Sequence, residues 1–330
     1  MKKILTMYLF FFSTINFAQE NEIIKREKHI RAAEAYGYIV GFEITFEKIT
    51  TDFPELQREI LDTKHLFQST FSNVKTNSKL YLETFFGKNE FLEFEKKNLE
   101  EFKSNLDSKN FDQKEVLNYL ADIKSKARGK ILSPILENLL SFQYFNNPEK
   151  EFLSGFIKTF KTKDHIKSKN TDWNINLPKS WLSLEADRPN IIQKFISDMG
   201  NGNESVMLTV KDLDFPKNYK LTKEDYDEIF NENTLKEMIP EGGKFKSFKN
   251  MTFDGIKGAM LESEQSIQRL DLLIKTKNIQ YVFIFKNKLY SISCTVATTN
   301  ENDNLEKISQ KFKPLFTLIA NSIVINEQYK

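Results

Sequence analysis

The apolar residues of this chain change their period once, near Pro148, and no other feature constrains the fold as strongly. Before that point they recur every three or four residues, the spacing of one face of a helix. Leu56, Ile60, Phe67, Phe71, Val74, Leu82 and Phe85 form one such stripe. Asp52 and Glu55 have the spacing of a capping box at its start and Gly87 stands at its end, which predicts a single long amphipathic helix. A helix over 22–49 is expected before it, although the alternation Phe42, Ile44, Phe46 allows its last turns to be extended. Three more are expected at 89–106, at 112–128 with Gly129 as the stop, and at 133–145, where Ser133 is the N-cap and Pro134 the first helical residue. Residues 19–147 thus read as an antiparallel helical bundle.

After Pro148 the apolar positions alternate. Strands are expected at 172–177, 190–197 and 205–210, with Gly200-Asn-Gly202 as a turn, while 152–162 is open between helix and strand. Thr222 and Asp225 open a helix, stapled across its start by Leu221 and Tyr226. Strands resume over 244–299, with breaks expected at 254–255, 276–278 and 286–288. Leu305, Ile308, Phe312, Leu315, Phe316 and Ile319 mark a closing helix that Pro314 should kink or divide, and 322–325 is a last short strand. Grouped strands with helices at their ends give the fold class α+β: an N-terminal antiparallel helical bundle, then, over 148–330, an antiparallel sheet covered by helices.

Residues 1–18 read as a signal peptide: Lys2 and Lys3, an apolar run from Ile4 to Phe12, then a polar stretch ending at Ala18, after which cleavage is expected. The alternative is an uncleaved anchor. No Cys follows the apolar run, so a lipoprotein is not expected, and no later stretch reaches the length of a membrane span. The chain is therefore expected to be periplasmic or extracellular. Its 48 Lys and Arg oppose 46 Asp and Glu, and loss of the signal removes two of the lysines. Neither half carries the basic excess that a nucleic-acid or an anionic-membrane partner normally requires. Cys294 is the only cysteine, so stability rests on packing, for which 30 Phe supply area.

Three segments carry a family resemblance. Asn174-Ile-Asn-Leu-Pro-Lys-Ser-Trp181, Lys288-Leu-Tyr-Ser-Ile-Ser-Cys294 and Phe316-Thr-Leu-Ile-Ala-Asn-Ser-Ile323 stand in the order found in PsbP and DcrB domains. Residues 150–330 resemble that type, and the whole chain is similar to exported bacterial proteins that place a helical region before such a domain. The resemblance implies an antiparallel sheet completed by a turn, a hydrophobic strand and a helix ending in Asn-Ser-Ile, and a protein-docking scaffold, since the type includes an extrinsic photosystem subunit, envelope proteins and a Ran-binding protein. It maps no binding residue onto this sequence.

Motifs for catalysis are missing or fragmentary. Ser154-Gly155 is not a nucleophile elbow, and Cys294 alternates with Tyr290, Ile292 and Val296 on a core-facing strand. Asp62 and His65, with His29 on the preceding helix, form one copy of a pattern that a di-metal bundle needs twice, and His165 falls in a Lys-rich connector. No catalytic residue, metal or cofactor is expected. Gly242-Gly243 precedes a strand, not a helix, and reads as a turn, while the spacing of Gly37 and Gly41 marks close helix packing. The candidate binding residues are Trp181, Asp187, Arg188 and Asn190, in a loop with Glu185 and Pro189, because loops on a rigid sheet carry binding and Trp and Arg anchor interfaces. The other reading of the same residues is a Trp plugging the sheet edge and an Arg188 paired with Asp187. The expectation is a noncatalytic exported protein-binding or scaffold protein with an envelope or secreted protein partner. The alternative is an envelope hydrolase with a site between the two domains.

Overall fold

The structure is a computed structural model and describes residues 23–186, 188–213, 221–269, 272–300 and 302–330. The expected signal peptide, its cleavage point and Asp187 lie outside the described residues. Among those described, no helix is long and apolar enough to cross a membrane. The chain divides into two compact units, the first ending at Phe145 and the second starting at Asn146.

The first unit is helical: α1 (Ile23–Asp52), α2 (Gln57–Thr70), α3 (Val74–Phe86), α4 (Lys88–Asp107), α5 (Gln113–Ala127) and α6 (Ile135–Gln143). The Phe42, Ile44, Phe46 alternation is helical, and all three are buried, because this part of α1 is covered on nearly every side. Phe42 stacks on Phe67 at 4.1 Å and lies 4.4 Å from Phe46. The expected long helix over 52–87 is two helices. The ladder breaks at Phe71–Asn73, where the Gln143 side chain accepts a 2.8 Å bond from the freed Asn73 N–H and Asn77 Nδ2 donates to Phe142 O at 2.7 Å. The apolar stripe survives because both helices bury their share of it, Ile60 and Phe67 from one, Val74 and Leu82 from the other. Asp52 and Glu55 form no capping box, since Asp52 ends α1 and a short 3-10 turn, Pro54–Leu56, intervenes. Nor does Ser133 cap α6, which starts after Pro134; its hydroxyl donates to Glu137.

The second unit is α+β. It contains α7 (Glu149–Leu153), β1 (Ile157–Lys161), β2 (Trp173–Pro178), β3 (Leu182–Leu184), β4 (Ile191–Ile196), β5 (Glu204–Asp212), α8 (Lys223–Ile229), α9 (Glu232–Lys236), β6 (Lys244–Phe253), β7 (Ile256–Arg269), β8 (Leu272–Phe285), β9 (Lys288–Thr298), α10 (Leu305–Asn321) and β10 (Val324–Ile325). The single sheet expected from sequence is two: a three-stranded sheet in the order β1-β2-β10 and a seven-stranded one in the order β3-β4-β5-β9-β8-β7-β6, all pairs antiparallel. Their shared core takes Trp173, Ile175 and Leu177 from β2, Tyr290, Ile292, Cys294 and Val296 from β9, and Phe312, Phe316 and Ile319 from α10. On the opposite face of the large sheet, Phe230 and Leu235 cover Ala259, Leu261, Val282 and Ile284. Residues 152–162 resolve into the end of α7, a turn through Gly155 at φ 82°, and β1.

Two expected interruptions are absent. Thr276 to Asn278 continue β8, paired with Gln265 to Ser263, because the ammonium of Lys277 is held by Glu306 and its polar character needs no turn. Pro314 lies within an undivided α10, on its exposed side, where water can take the carbonyl of Gln310 that its missing N–H leaves. Gly258 is required by close approach: a Cβ there would stand 2.2 Å from Val282 O and 2.8 Å from Phe283 Cβ. Gly258→Ala is expected to lower stability by about 1–3 kcal/mol, read as a lower urea midpoint, and an unchanged midpoint would contradict this packing.

Candidate functional site

The loop that follows β3 is built from its base upward. Pro178 ends β2, Lys179 N extends the ladder with β1 through a 3.0 Å bond to Phe156 O, and Trp181 N closes the turn onto Pro178 O at 3.3 Å. Ser180 is then fixed by Glu151 of α7. One carboxylate oxygen accepts the Ser180 N–H at 2.7 Å and the other accepts the Ser180 hydroxyl at 2.6 Å. Both residues are buried. Burial pushes the Glu151 carboxyl up to about 7, against the opposing pull of the Ser180 hydrogen bonds and the Lys158 charge.

The next residue turns inward. Trp181 is 3% exposed and sits edge-on to Phe312 at 6.5 Å and to Phe316 at 6.4 Å, so its indole belongs to the core. Its carbonyl accepts from the Lys158 ammonium. Further along, the Ala186 carbonyl accepts from the Lys167 ammonium, and Ile191 N bonds Arg188 O at 3.1 Å. Lysines from β1 and from the β1–β2 connection therefore pin the base of the loop, while Arg188, Pro189 and Asn190 remain exposed at its tip.

Of the four residues expected to bind, the structure places Arg188 and Asn190 together on an accessible tip. Trp181 is corrected: a side chain packed into the core presents no ring to a partner, and it plugs the sheet instead. The expected pairing of Arg188 with Asp187 involves a residue outside those described. The contacts that sequence reading missed are the anchor, Glu151 with Ser180 and the two lysines. Glu151 sits in a five-residue helix and Ser180 lies 29 positions away, so no local pattern links them.

Residues considered for other chemistry have local roles. Cys294 is fully buried and its thiol is pushed well up by burial, which disfavours the thiolate a nucleophile requires. Asp62 and His65 lie exposed on α2, His29 Nδ1 is 3.1 Å from the Tyr81 hydroxyl, and His165 Nδ1 accepts from Lys167 N at 3.2 Å. Among the described residues no group of three or more His, Cys, Asp or Glu could hold a metal ion.

Comparison with family models and with curated proteins gives no match. Among solved structures the chain is similar to cyanobacterial PsbP (CyanoP) from Synechocystis sp. PCC 6803, at 13% identity over 51% of this chain and 92% of that one, with a TM-score of 0.33. It is similar to LpqN, involved in cell envelope biogenesis of Mycobacterium tuberculosis, at 11% identity over 54% and 96% of the two chains, with a TM-score of 0.32. It is also similar to the Ran-binding protein Mog1p of Saccharomyces cerevisiae, at 9% identity over 51% and 95%, with a TM-score of 0.31. The neighbours are PsbP-like, at low identity and over about half of this chain, and no residue role or activity is drawn from them.

Proposed function

We propose that this chain is a noncatalytic binding or scaffold protein, exported to the periplasm or beyond the cell, that docks a protein partner through the tip of the 185–190 loop. The observation that carries the reading is the contrast between a base held by buried polar contacts and a tip that leaves Arg188, Pro189 and Asn190 exposed. A loop whose base is fixed before binding loses less entropy on docking, so contacts at its tip convert more efficiently into affinity. Arginine adds a planar donor fork suited to an acidic group on the partner. Export rests on the N-terminal segment, and the mass of the mature N-terminus tests it.

Affinity capture with the full chain tests the site. A partner recurring with the wild-type chain should be recovered about tenfold less with Arg188→Ala/Asn190→Ala, the effect of truncating an anchor residue. Thermal stability should stay unchanged, since both side chains are exposed. Undiminished recovery would remove the loop from the interface.

A further inference from the structure

The connection between β1 and β2, residues 162–172, is bonded far more heavily than a surface turn needs for chain reversal. Thr162, Ser168 and Thr171 are buried at 0, 1 and 2% exposure. Thr162 Oγ1 donates to Thr171 O at 3.0 Å and accepts from Trp173 N at 3.0 Å, and Thr171 Oγ1 donates to Ser168 O at 2.6 Å. His165 N bonds Thr162 O at 3.0 Å and Ser168 N bonds His165 O at 2.9 Å. Asp164, Lys169 and Asn170 hold positive φ of 64, 54 and 61° to close the turn.

This rigid support displays Ile166, 99% exposed, at its apex. A single exposed isoleucine is ordinary on a protein surface. This one is flanked in sequence by Lys161, Lys163, Lys167 and Lys169. Lys161 and Lys163 are exposed on the strand side, and the Lys167 ammonium rests on the neutral carbonyl of Ala186, which leaves its charge uncompensated by that bond. Asp164 is the sole acidic residue from Lys158 to Lys169, and Asp172, at the end of the same connection, is engaged by the Lys330 ammonium with the Lys163 charge also acting on it. Lys169 is engaged at 2.7 Å by Asp212, whose carboxyl is lowered to about 2 by its hydrogen bonds from Lys169 and Lys288. The Lys167 bond also places this turn beside the loop that carries Arg188.

A convex, rigid aliphatic tip between flanking lysines fits a flat, fluid, anionic surface: the aliphatic group enters the apolar boundary while the ammoniums stay at the headgroups. We propose that the Ile166 turn contacts an anionic lipid surface. This goes beyond the protein-docking reading, and its failure would leave that reading intact.

The test uses the full chain carrying Ile166→Cys, labelled with an environment-sensitive fluorophore; Cys294 is fully buried and does not compete for the label. Vesicles of phosphatidylglycerol and phosphatidylcholine should brighten the probe, vesicles of phosphatidylcholine alone should not, and high salt should reverse the change. Lys161→Gln/Lys163→Gln in the labelled chain should weaken the response about thirtyfold, from two lost cation–surface attractions. A label at Glu241→Cys, beyond the opposite edge of the large sheet, should stay dark. An unresponsive probe at 166, or equal brightening on both vesicle types, would overturn the proposal. So would brightening by polyglutamate with none by anionic vesicles, which would mark the turn as a site for an acidic polypeptide.

Discussion

Trp181→Ala is expected to lower the unfolding free energy by about 3–5 kcal/mol, the range for truncating a large buried aromatic. The ring is 3% exposed and packs on Phe312 and Phe316 of the closing helix, so its removal opens a cavity where that helix meets the sheet. Urea denaturation followed by far-UV circular dichroism measures the change. Arg188→Ala, a few residues further on, should fall within about 0.5 kcal/mol of the wild type. The pair of variants separates stability from docking along one loop. A Trp181→Ala chain with an unchanged midpoint and lost partner capture would return the indole to the interface and contradict the packing described.

The second large effect depends on pH. Glu151 is buried with its carboxyl pushed up to about 7 from an ordinary 4.5. The folded chain therefore holds a proton that the unfolded chain has already released between those values. Stability falls as pH rises through that window, and above about 7 the penalty is complete, at roughly 3 kcal/mol. Glu151→Gln keeps an acceptor for the Ser180 N–H and removes the titration. It should match the wild type near pH 5 and exceed it in thermal midpoint near pH 8. Glu151→Ala should be less stable than Glu151→Gln at every pH, because it strands the buried Ser180 N–H. An identical pH slope in Glu151→Gln and the wild type would show that another group carries the dependence.

Periodicity made much of the fold legible. The change near Pro148 separated helices from strands because 3.6- and 2-residue repeats are set by backbone geometry alone. The alternation of Tyr290, Ile292, Cys294 and Val296 likewise identified a buried strand face, and all four are buried. Errors arose where a side chain overrode a local preference. Gln143, about 70 positions from Asn73, satisfies the N–H freed between α2 and α3, so a continuous stripe concealed a break. Glu306 neutralises Lys277 across tertiary space, so a polar triplet that read as a turn is strand. The division into two sheets was hidden because strand pattern records burial and not partners.

The exposure of the candidate residues was legible in part. Arg188 and Asn190 are exposed as loop chemistry suggests, while the Trp181 ring faces inward, a direction that residue type does not encode. The lysines that pin the loop reach carbonyl groups from a different strand pair, and a carbonyl acceptor leaves no sequence signature.

The central claim is that the tip of the 185–190 loop meets a protein partner. A photo-activatable cross-linker at position 188 of the full chain, irradiated in the native envelope, tests it most directly, with position 241 as the control. The account predicts one recurrent protein adduct from position 188 that is missing from position 241. No adduct from 188, or the same adducts from both positions, would contradict it.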